Sequence, residues 1–371
     1  MRFGEILTPS ALVDLDKVER NTRWMSQRAH ALGVRLRPHV KTHKCIEAAQ
    51  LQVAGHFGGI TVSTLAEAHY FAEGGFTDIT WAFPLPLGRV VEALELTNQI
   101  ERFAVVVDHM ETLEVLEKEA DKRCETVCVY LKLDCGYGRA GVQADDPTAM
   151  DLARRLSESP RINFRGILAH AGHSYDCRTP AEILRVAQEE RDNAVLFAER
   201  LRHDGIAVEE VSVGSTPTMR LVEDLEGVTE IRPGNYVFFD LFQANIGACQ
   251  IGEIAFSVLS TVVGRYPQRD AIVLDAGALA LSKDPGVHPQ NPLFGLLTHP
   301  ETGQAWTEGL LGGLSQEHGK VSWKGAETMP QIGDRLRILP NHSCLSAACH
   351  PVYYVLRGME VVDTWRPCRG W

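Results

Sequence analysis

Several absences narrow the reading of this 371-residue chain. No run approaches the roughly 18 consecutive apolar residues that a bilayer crossing needs, so no membrane span is expected. The N-terminus, Met-Arg-Phe-Gly-Glu-Ile, lacks the charged, then apolar, then small-residue order of a secretory leader, and a cytoplasmic location is expected. No stretch of lysine and arginine exceeds a pair, and 37 basic residues face 48 acidic ones, a net charge of −11. A chain so acidic is a poor match for a polyphosphate, and no nucleic-acid partner is expected. Among the nine cysteines no two stand two residues apart, which leaves neither a zinc ribbon nor a thioredoxin-like motif. Most of these thiols are expected to be buried and reduced. Internal repeats and low-complexity segments are also missing.

What is present is ordinary globular composition, 44% hydrophobic and 23% charged, which excludes a disordered, collagen-like or coiled-coil chain. From about residue 35 to 240, short β-branched runs alternate with helical patterns. The runs are 34–40, 59–63, 78–83, 103–108, 127–134, 165–170, 208–214 and 228–232. Helix starts are marked between them: Thr64 with Glu67 forms a capping box, and Asp146-Pro147 and Thr179-Pro180 place a capping side chain before a first-turn proline. Ile183, Ala187, Ala194, Phe197, Ala198 and Leu201 give one apolar helical face. A doubly wound sheet is compatible with this pattern, but eight regular βα repeats fit a (β/α)8 TIM-type barrel over residues 21–244 better. After it, runs at 255–264, 271–275, 335–339 and 352–357 predict a mostly antiparallel β domain over 245–371. A spare strand at 10–15, within residues 1–20, is expected to join that domain, and 284–313 reads as a long loop.

Chemistry in a barrel sits at the C-terminal ends of the strands. The first strand ends Arg37-Pro-His-Val-Lys41-Thr-His43-Lys44, which is either a solvated basic strand end or a lysine whose amine forms a Schiff base. Residues 136–141 match G-x-G-x-x-G. The match stands mid-chain with no ribose-binding acid after it, so it is discounted as a dinucleotide site. Its glycines instead let Arg139 approach the barrel mouth. Strand seven ends in Gly214-Ser215-Thr216 and strand eight in Gly234-Asn235-Tyr236. These small, hydroxyl- and amide-bearing residues stand where the fold cradles phosphate, although both also read as plain turns. A lysine, an aromatic-ring-sized mouth and a phosphate cradle together suggest pyridoxal phosphate; the loop His170-Ala-Gly-His173-Ser-Tyr175 would set an imidazole and a phenol near its ring, or both serve as satisfied structural groups. In extended chain His342 and Cys344 would share a face and hold one borderline ion such as Zn²⁺, or they pack as ordinary core residues. His350, Gln316, Glu317 and His318 are further candidates around that ion.

RPHVKTHK at 37–44, HAGHSY at 170–175, SVGSTPT at 212–218, RPGNYVFFD at 232–240 and PNHSC at 340–344 together resemble the D-threonine aldolase/D-serine dehydratase family. These are pyridoxal-phosphate enzymes of the alanine-racemase-like fold, and the resemblance runs along essentially the whole chain in order. It is nearest to the D-serine and D-threo-3-hydroxyaspartate dehydratases. It implies that Lys41 is the lysine joined to pyridoxal 5′-phosphate, with Arg139 near the phenolic oxygen, His170 flanking the ring and Tyr175 by the ring nitrogen. It implies phosphate contacts from Gly214, Ser215, Thr216, Gly234, Asn235 and Tyr236. It implies a divalent ion on His342 and Cys344, zinc foremost, with manganese and magnesium as alternatives. A homodimer is also implied.

The activity implied is dehydration of a small-molecule D-3-hydroxyamino acid, of the D-serine, D-threonine or D-threo-3-hydroxyaspartate type, to a 2-keto acid and ammonia. The alternative is a D-threonine aldolase giving glycine and an aldehyde. Aldolases of the family tend to carry His-x-Asp where this chain has His342-x-Cys344, which favours dehydration. A racemase would need no metal and would want a second, opposed acid–base group. A cofactor carrier without activity would resemble a bare barrel, and the extra β domain argues against it.

Overall fold

A computed structural model describes residues 2–286 and 293–371. The chain divides into two compact units, Arg23–Gly234 with Cys368–Trp371, and Met1–Thr22 with Asn235–Pro367. The second divide thus falls after Gly234, upstream of the 244/245 junction read from the sequence, and the last four residues go with the barrel.

The first strand, β1 (Ser10–Asp14), belongs to the second unit. The barrel unit holds β2 (Arg35–Leu36), β3 (Ile60–Val62), β4 (Asp78–Pro84), β5 (Arg102–Val107), β6 (Val127–Asp134), the short β7 (Val142–Gln143), β8 (Ile162–Ala169), β9 (Glu210–Val213) and β10 (Glu230–Ile231). Eight of these pair in parallel in the order β2-β10-β9-β8-β6-β5-β4-β3, and β7 pairs with the end of β6. Thr61 N donates to Pro38 O at 2.9 Å and Thr61 bridges His39, which brings the two ends of the row together into a barrel. All eight expected strands are present. The first is trimmed to two residues because Pro38 offers no N–H and the chain then tightens into a 3₁₀ turn, Val40–Thr42. The strands are largely apolar because a parallel barrel buries both of their faces, with charges such as Glu210 and Glu230 at strand starts and Lys132 inside β6. Helices start where their caps predict: Thr64 accepts from Glu67 N, Asp146 from Thr148 N, and Thr179 and Glu182 close a capping box. At the strand starts, Arg102 pairs with Glu210 at 2.7 Å, and buried Arg37 pairs with buried Glu230 at 2.9 Å.

The second unit is a mixed, mostly antiparallel sheet. It adds β11 (Phe256–Tyr266), β12 (Ala271–Leu274), β13 (Leu296–Thr298), β14 (Gly309–Leu314), β15 (Gly319–Trp323), β16 (Arg335–Leu339), β17 (Tyr353–Arg357) and β18 (Glu360–Trp365). Strand β1 lies between β11, antiparallel, and β17, parallel. The expected loop 284–313 is not one loop: it carries β13 and β14, and residues 287–292 within it lie outside the described residues. In β14, Leu311 and Leu314 are buried and Leu310 faces out, an alternation that three glycines conceal in the sequence. The thiols also depart from expectation. Only Cys45, Cys135 and Cys249 are buried, and Cys124 and Cys349 are exposed, because most lie at element ends and not on apolar faces. No helix among the described residues is long and apolar enough to cross a membrane.

Candidate active site

Lys41 stands exposed on the 3₁₀ turn that follows β2, at the C-terminal end of the barrel strands. Both sides of this turn are anchored. His39 N donates to Pro233 O at 3.0 Å before it, and Lys44 N donates to Val40 O at 2.8 Å after it. Lys44 sits in the left-handed region at φ 54°, with its amine 2.9 Å from the buried carboxylate of Glu67. The C-terminal tail returns here: Cys368 N donates to Lys44 O at 2.7 Å, and its thiol approaches Ala66 O.

The two histidines around Lys41 differ. His43 is fully buried, pairs through Nε2 with Gln52 Oε1 at 2.8 Å and accepts Cys45 N–H at Nδ1. Burial pushes its pKa down to about 4, so it is a neutral packing group. His39 faces Lys41 and Arg232, and burial with those charges holds it well below the usual imidazole range.

His170, just past β8, is depressed in the same way by burial and then by Lys41, Lys132, Arg139 and Arg232. Four cations therefore surround one neutral imidazole in a chain whose net charge is −11. Lys132 is buried in β6, donates to Leu133 O at 3.0 Å, and is pushed down to about 8 by burial and then by Arg232. Arg139 is exposed, with its guanidinium 5.1 Å over the Tyr137 ring. Tyr137 meets His170 edge-on and stacks with His173 at 6.0 Å. The glycine loop carrying Arg139 is no phosphate cradle, because the Asp134 carboxylate takes the N–H groups of Gly136, Tyr137 and Gly138. Tyr175 closes the short turn Gly172–Tyr175 and is 38% exposed.

After β9, Gly214 adopts φ +106° and donates its N–H to Glu190 Oε1 at 3.0 Å. Ser215 caps the helix Thr216–Leu221; its N–H donates to Thr218 Oγ1 at 2.9 Å, and its Oγ lies 2.9 Å from Ser174 Oγ. Thr216 is buried. After β10, a Cβ at Gly234 would come within 2.6 Å of His39 O, so only glycine lets the two strand ends meet. Small residues and concentrated positive charge at the strand ends fit a phosphate-bearing ring held by Lys41.

Asn235 and Tyr236 open the second unit. Asn235 Nδ2 donates to Asp240 Oδ2 at 2.8 Å and Ser343 Oγ at 3.0 Å, and lies 3.6 Å from Cys344 Sγ; its buried Oδ1 has no hydrogen-bond partner among the described residues. Tyr236 is fully buried. His342 and Cys344 do not lie in extended chain. His342 caps the helix Ser343–Ala348 and Cys344 sits in its first turn, because Asp240 captures Ser343 N at 3.0 Å and starts the helix there. The imidazole and thiol are nevertheless in contact. Burial lowers the His342 pKa, but Cys344, Asp240 and Asp284 outweigh it and raise it to about 10. His342 Nδ1 donates to Asp284 Oδ2 at 2.8 Å, the arrangement that orients a metal-bound histidine from behind. An imidazole and a thiol side by side suit a borderline divalent ion. His350 Nε2 instead serves Ala280 O at 2.9 Å, and Gln316, Glu317 and His318 form the exposed turn between β14 and β15.

Four residues escaped the sequence reading: Tyr137, Lys132, Glu190 and Asp284. Lys132 and Glu190 had a visible signal, a charge set inside an otherwise apolar strand or helix face. Asp284 had none, being 58 residues from His342.

Residues 13–241 match the alanine racemase N-terminal domain, and residues 255–356 match a serine dehydratase domain. The chain is 39% identical over 372 residues to D-threo-3-hydroxyaspartate dehydratase of Delftia sp. (strain HT23), covering 98% of both. The solved structure of that enzyme superposes with a TM-score of 0.94 at 38% identity, over 100% of each chain. A cysteine-to-alanine mutant of a D-threo-3-hydroxyaspartate dehydratase, solved in the metal-free form, also gives 0.94, at 37% identity over 100% of each chain. Identity is 36% to D-serine dehydratase of Dictyostelium discoideum (100% of this chain, 98% of the relative) and 30% to D-threonine aldolase of Arthrobacter sp. (98% and 92%). These relatives are carbon–oxygen or carbon–carbon lyases, and the family depends on pyridoxal 5′-phosphate. With both domains matched and the relatives aligned from end to end, the chain belongs to the D-serine dehydratase/D-threonine aldolase family of alanine-racemase-like enzymes.

Proposed function

We propose that this chain is a pyridoxal-phosphate- and zinc-dependent lyase that dehydrates a D-3-hydroxyamino acid, of the D-serine, D-threonine or D-threo-3-hydroxyaspartate type, to a 2-keto acid and ammonia. The observation that carries the reading is Lys41 on its anchored turn, beside a His170 ring that burial and then the neighbouring cations hold neutral. Lys41 would hold the cofactor, with Arg139, His170 and Tyr175 around its ring and Gly214, Ser215, Thr216, Gly234, Asn235 and Tyr236 serving its phosphate. When bound, the cofactor supplies an electron sink for a carbanion at the substrate α-carbon.

The chain's own residues supply the rest. Lys41 Nζ would take the α-proton of the substrate. Lys132, Arg139 and Arg232 give the mouth a positive field that attracts anionic ligands, beside the neutral rings of His39 and His170. Tyr137 packs on His170 and His173 and would hold that loop in place. His342 and Cys344 would hold a zinc ion, whose Lewis acidity weakens a carbon–oxygen bond and makes hydroxide a tolerable leaving group. Asp284 accepts the Nδ1–H of His342 and would orient its ring toward that ion. Manganese or magnesium would prefer oxygen ligands, and the thiol of Cys344 argues for zinc. A cytoplasmic homodimer completes the reading.

The test is product analysis of the protein supplied with cofactor and zinc and offered D-serine, D-threonine and D-threo-3-hydroxyaspartate. A 2-keto acid and ammonia in equal amounts is the expected result. Glycine with an aldehyde would make the enzyme a D-threonine-type aldolase instead.

A further inference from the structure

Glu190 is a charged residue in the wrong place for a surface helix. The helix Pro180–His203 buries Ile183, Ala187, Ala194, Phe197, Ala198 and Leu201 against the barrel, and Glu190 lies on the same face, 1% exposed. A carboxylate in an apolar seam is unfavourable unless its oxygens are bonded. Here they are bonded to two different loops. Oε1 accepts Ala171 N–H at 2.8 Å and Gly214 N–H at 3.0 Å, and Oε2 lies 3.5 Å from Thr218 Oγ1.

The loops so joined are those that follow the neighbouring strands β8 and β9. Ala171 directly follows His170, and Gly214 directly precedes Ser215 and Thr216. A second tie runs beside the first: Ser174 Oγ is 2.9 Å from Ser215 Oγ, which is 3.0 Å from Thr218 Oγ1. Gly214 at φ +106° has a conformation that few residues adopt, and the Glu190 bond fixes the direction of its N–H. That N–H is taken by the helix carboxylate, so Gly214 would serve a phosphate through its φ and its lack of a side chain.

We propose that Glu190 is a positioning residue that staples the His170 loop to the Ser215–Thr216 loop, holding the ring-flanking and phosphate-binding parts of the site in register. The inference rests on the pyridoxal-phosphate reading of that site. Geometry, not charge, is what the staple needs. A glutamine carbonyl oxygen can accept the same two N–H groups, whereas aspartate keeps the charge but withdraws the oxygens by one methylene.

The experiment titrates wild-type, Glu190→Gln and Glu190→Asp apoprotein with pyridoxal 5′-phosphate. Binding is followed by cofactor absorbance and visible circular dichroism, and the thermal midpoint of each apoprotein is measured alongside. Glu190→Gln is expected to bind within about threefold of wild type, and Glu190→Asp about tenfold more weakly or worse with an altered dichroic band. A Ser174→Ala variant, which cuts the second tie, is expected to weaken Glu190→Asp further than it weakens wild type. Glu190→Asp binding like wild type would overturn the inference, as would losses in both variants that merely follow their apoprotein midpoints. Equal loss in Glu190→Gln would assign the effect to charge and overturn it too. A wild-type protein that binds no pyridoxal phosphate would remove the reading beneath it, an outcome distinct from all of these.

Discussion

The backbone N–H of Cys368 donates to the carbonyl of Lys44 at 2.7 Å, three residues beyond Lys41, so the end of the chain holds the turn that carries the candidate cofactor lysine. One such bond contributes about 1 kcal/mol, but here it braces a residue at positive φ whose neighbour must stay in place. Cys368→Pro removes the donor, and deletion of Cys368–Trp371 removes the whole brace. Either change is expected to lower turnover by about tenfold, while Cys368→Ala, which keeps the N–H, stays near wild type. Steady-state rates of the three variants decide this, and an unimpaired Cys368→Pro enzyme would refute it.

At the second unit's candidate metal pair, Asp284 stands behind His342 at 2.8 Å. Losing such an orienting carboxylate lowers metal affinity by about 10- to 100-fold. Asp284→Ala should show that loss in competition with a chromophoric zinc chelator. Cys344→Ala should lose both zinc and turnover but keep the cofactor absorbance; full activity in that variant would end the metal role of Cys344.

Gly234 is a steric requirement. A methyl group there would lie 2.6 Å from His39 O, backbone that cannot move without displacing the strand end that leads to Lys41. Gly234→Ala is expected to cost about 1–3 kcal/mol of stability and to weaken cofactor binding. Unchanged thermal unfolding and cofactor titration would contradict this.

The buried imidazoles set the acid limb of stability. His43 has a folded-state pKa of about 4 against an ordinary 6.5, so the unfolded chain takes up a proton that the folded chain refuses. Its contribution is complete above about pH 6.5 and is lost as pH falls toward 4, about 3 kcal/mol over that window. His39 and His170 act in the same direction. Urea midpoints of the apoprotein should therefore fall between pH 6.5 and 4, and His43→Asn should fall less steeply; an identical slope would show that the ring is already charged in the folded state.

How far these features could be read in the sequence depended on whether their signal was local. The barrel strands were legible because strands buried on both faces read as plain apolar runs, and the Thr64, Asp146 and Thr179 helix starts because a cap lies within three residues of its partner. The strand Gly309–Leu314 was hidden by its glycines, and Glu360–Trp365 by its largely exposed edge position. His342 and Cys344 were singled out for facing the same way in extended chain, yet their contact arises at a helix start set by Asp240, 103 residues before Ser343. Glu190 could have been suspected from its place among Ala187 and Ala194, but its partners Ala171 and Gly214 are backbone groups that no side-chain pattern announces.

Borohydride reduction of the cofactor-loaded protein followed by peptide mapping decides whether Lys41, and not the buried Lys132, carries the cofactor. Reduction fixes the bound pyridoxyl group to the lysine that holds it. The label is expected on Lys41 and absent in Lys41→Ala; a label on Lys132 or any other lysine, or no label at all in the loaded wild type, would refute the role of Lys41.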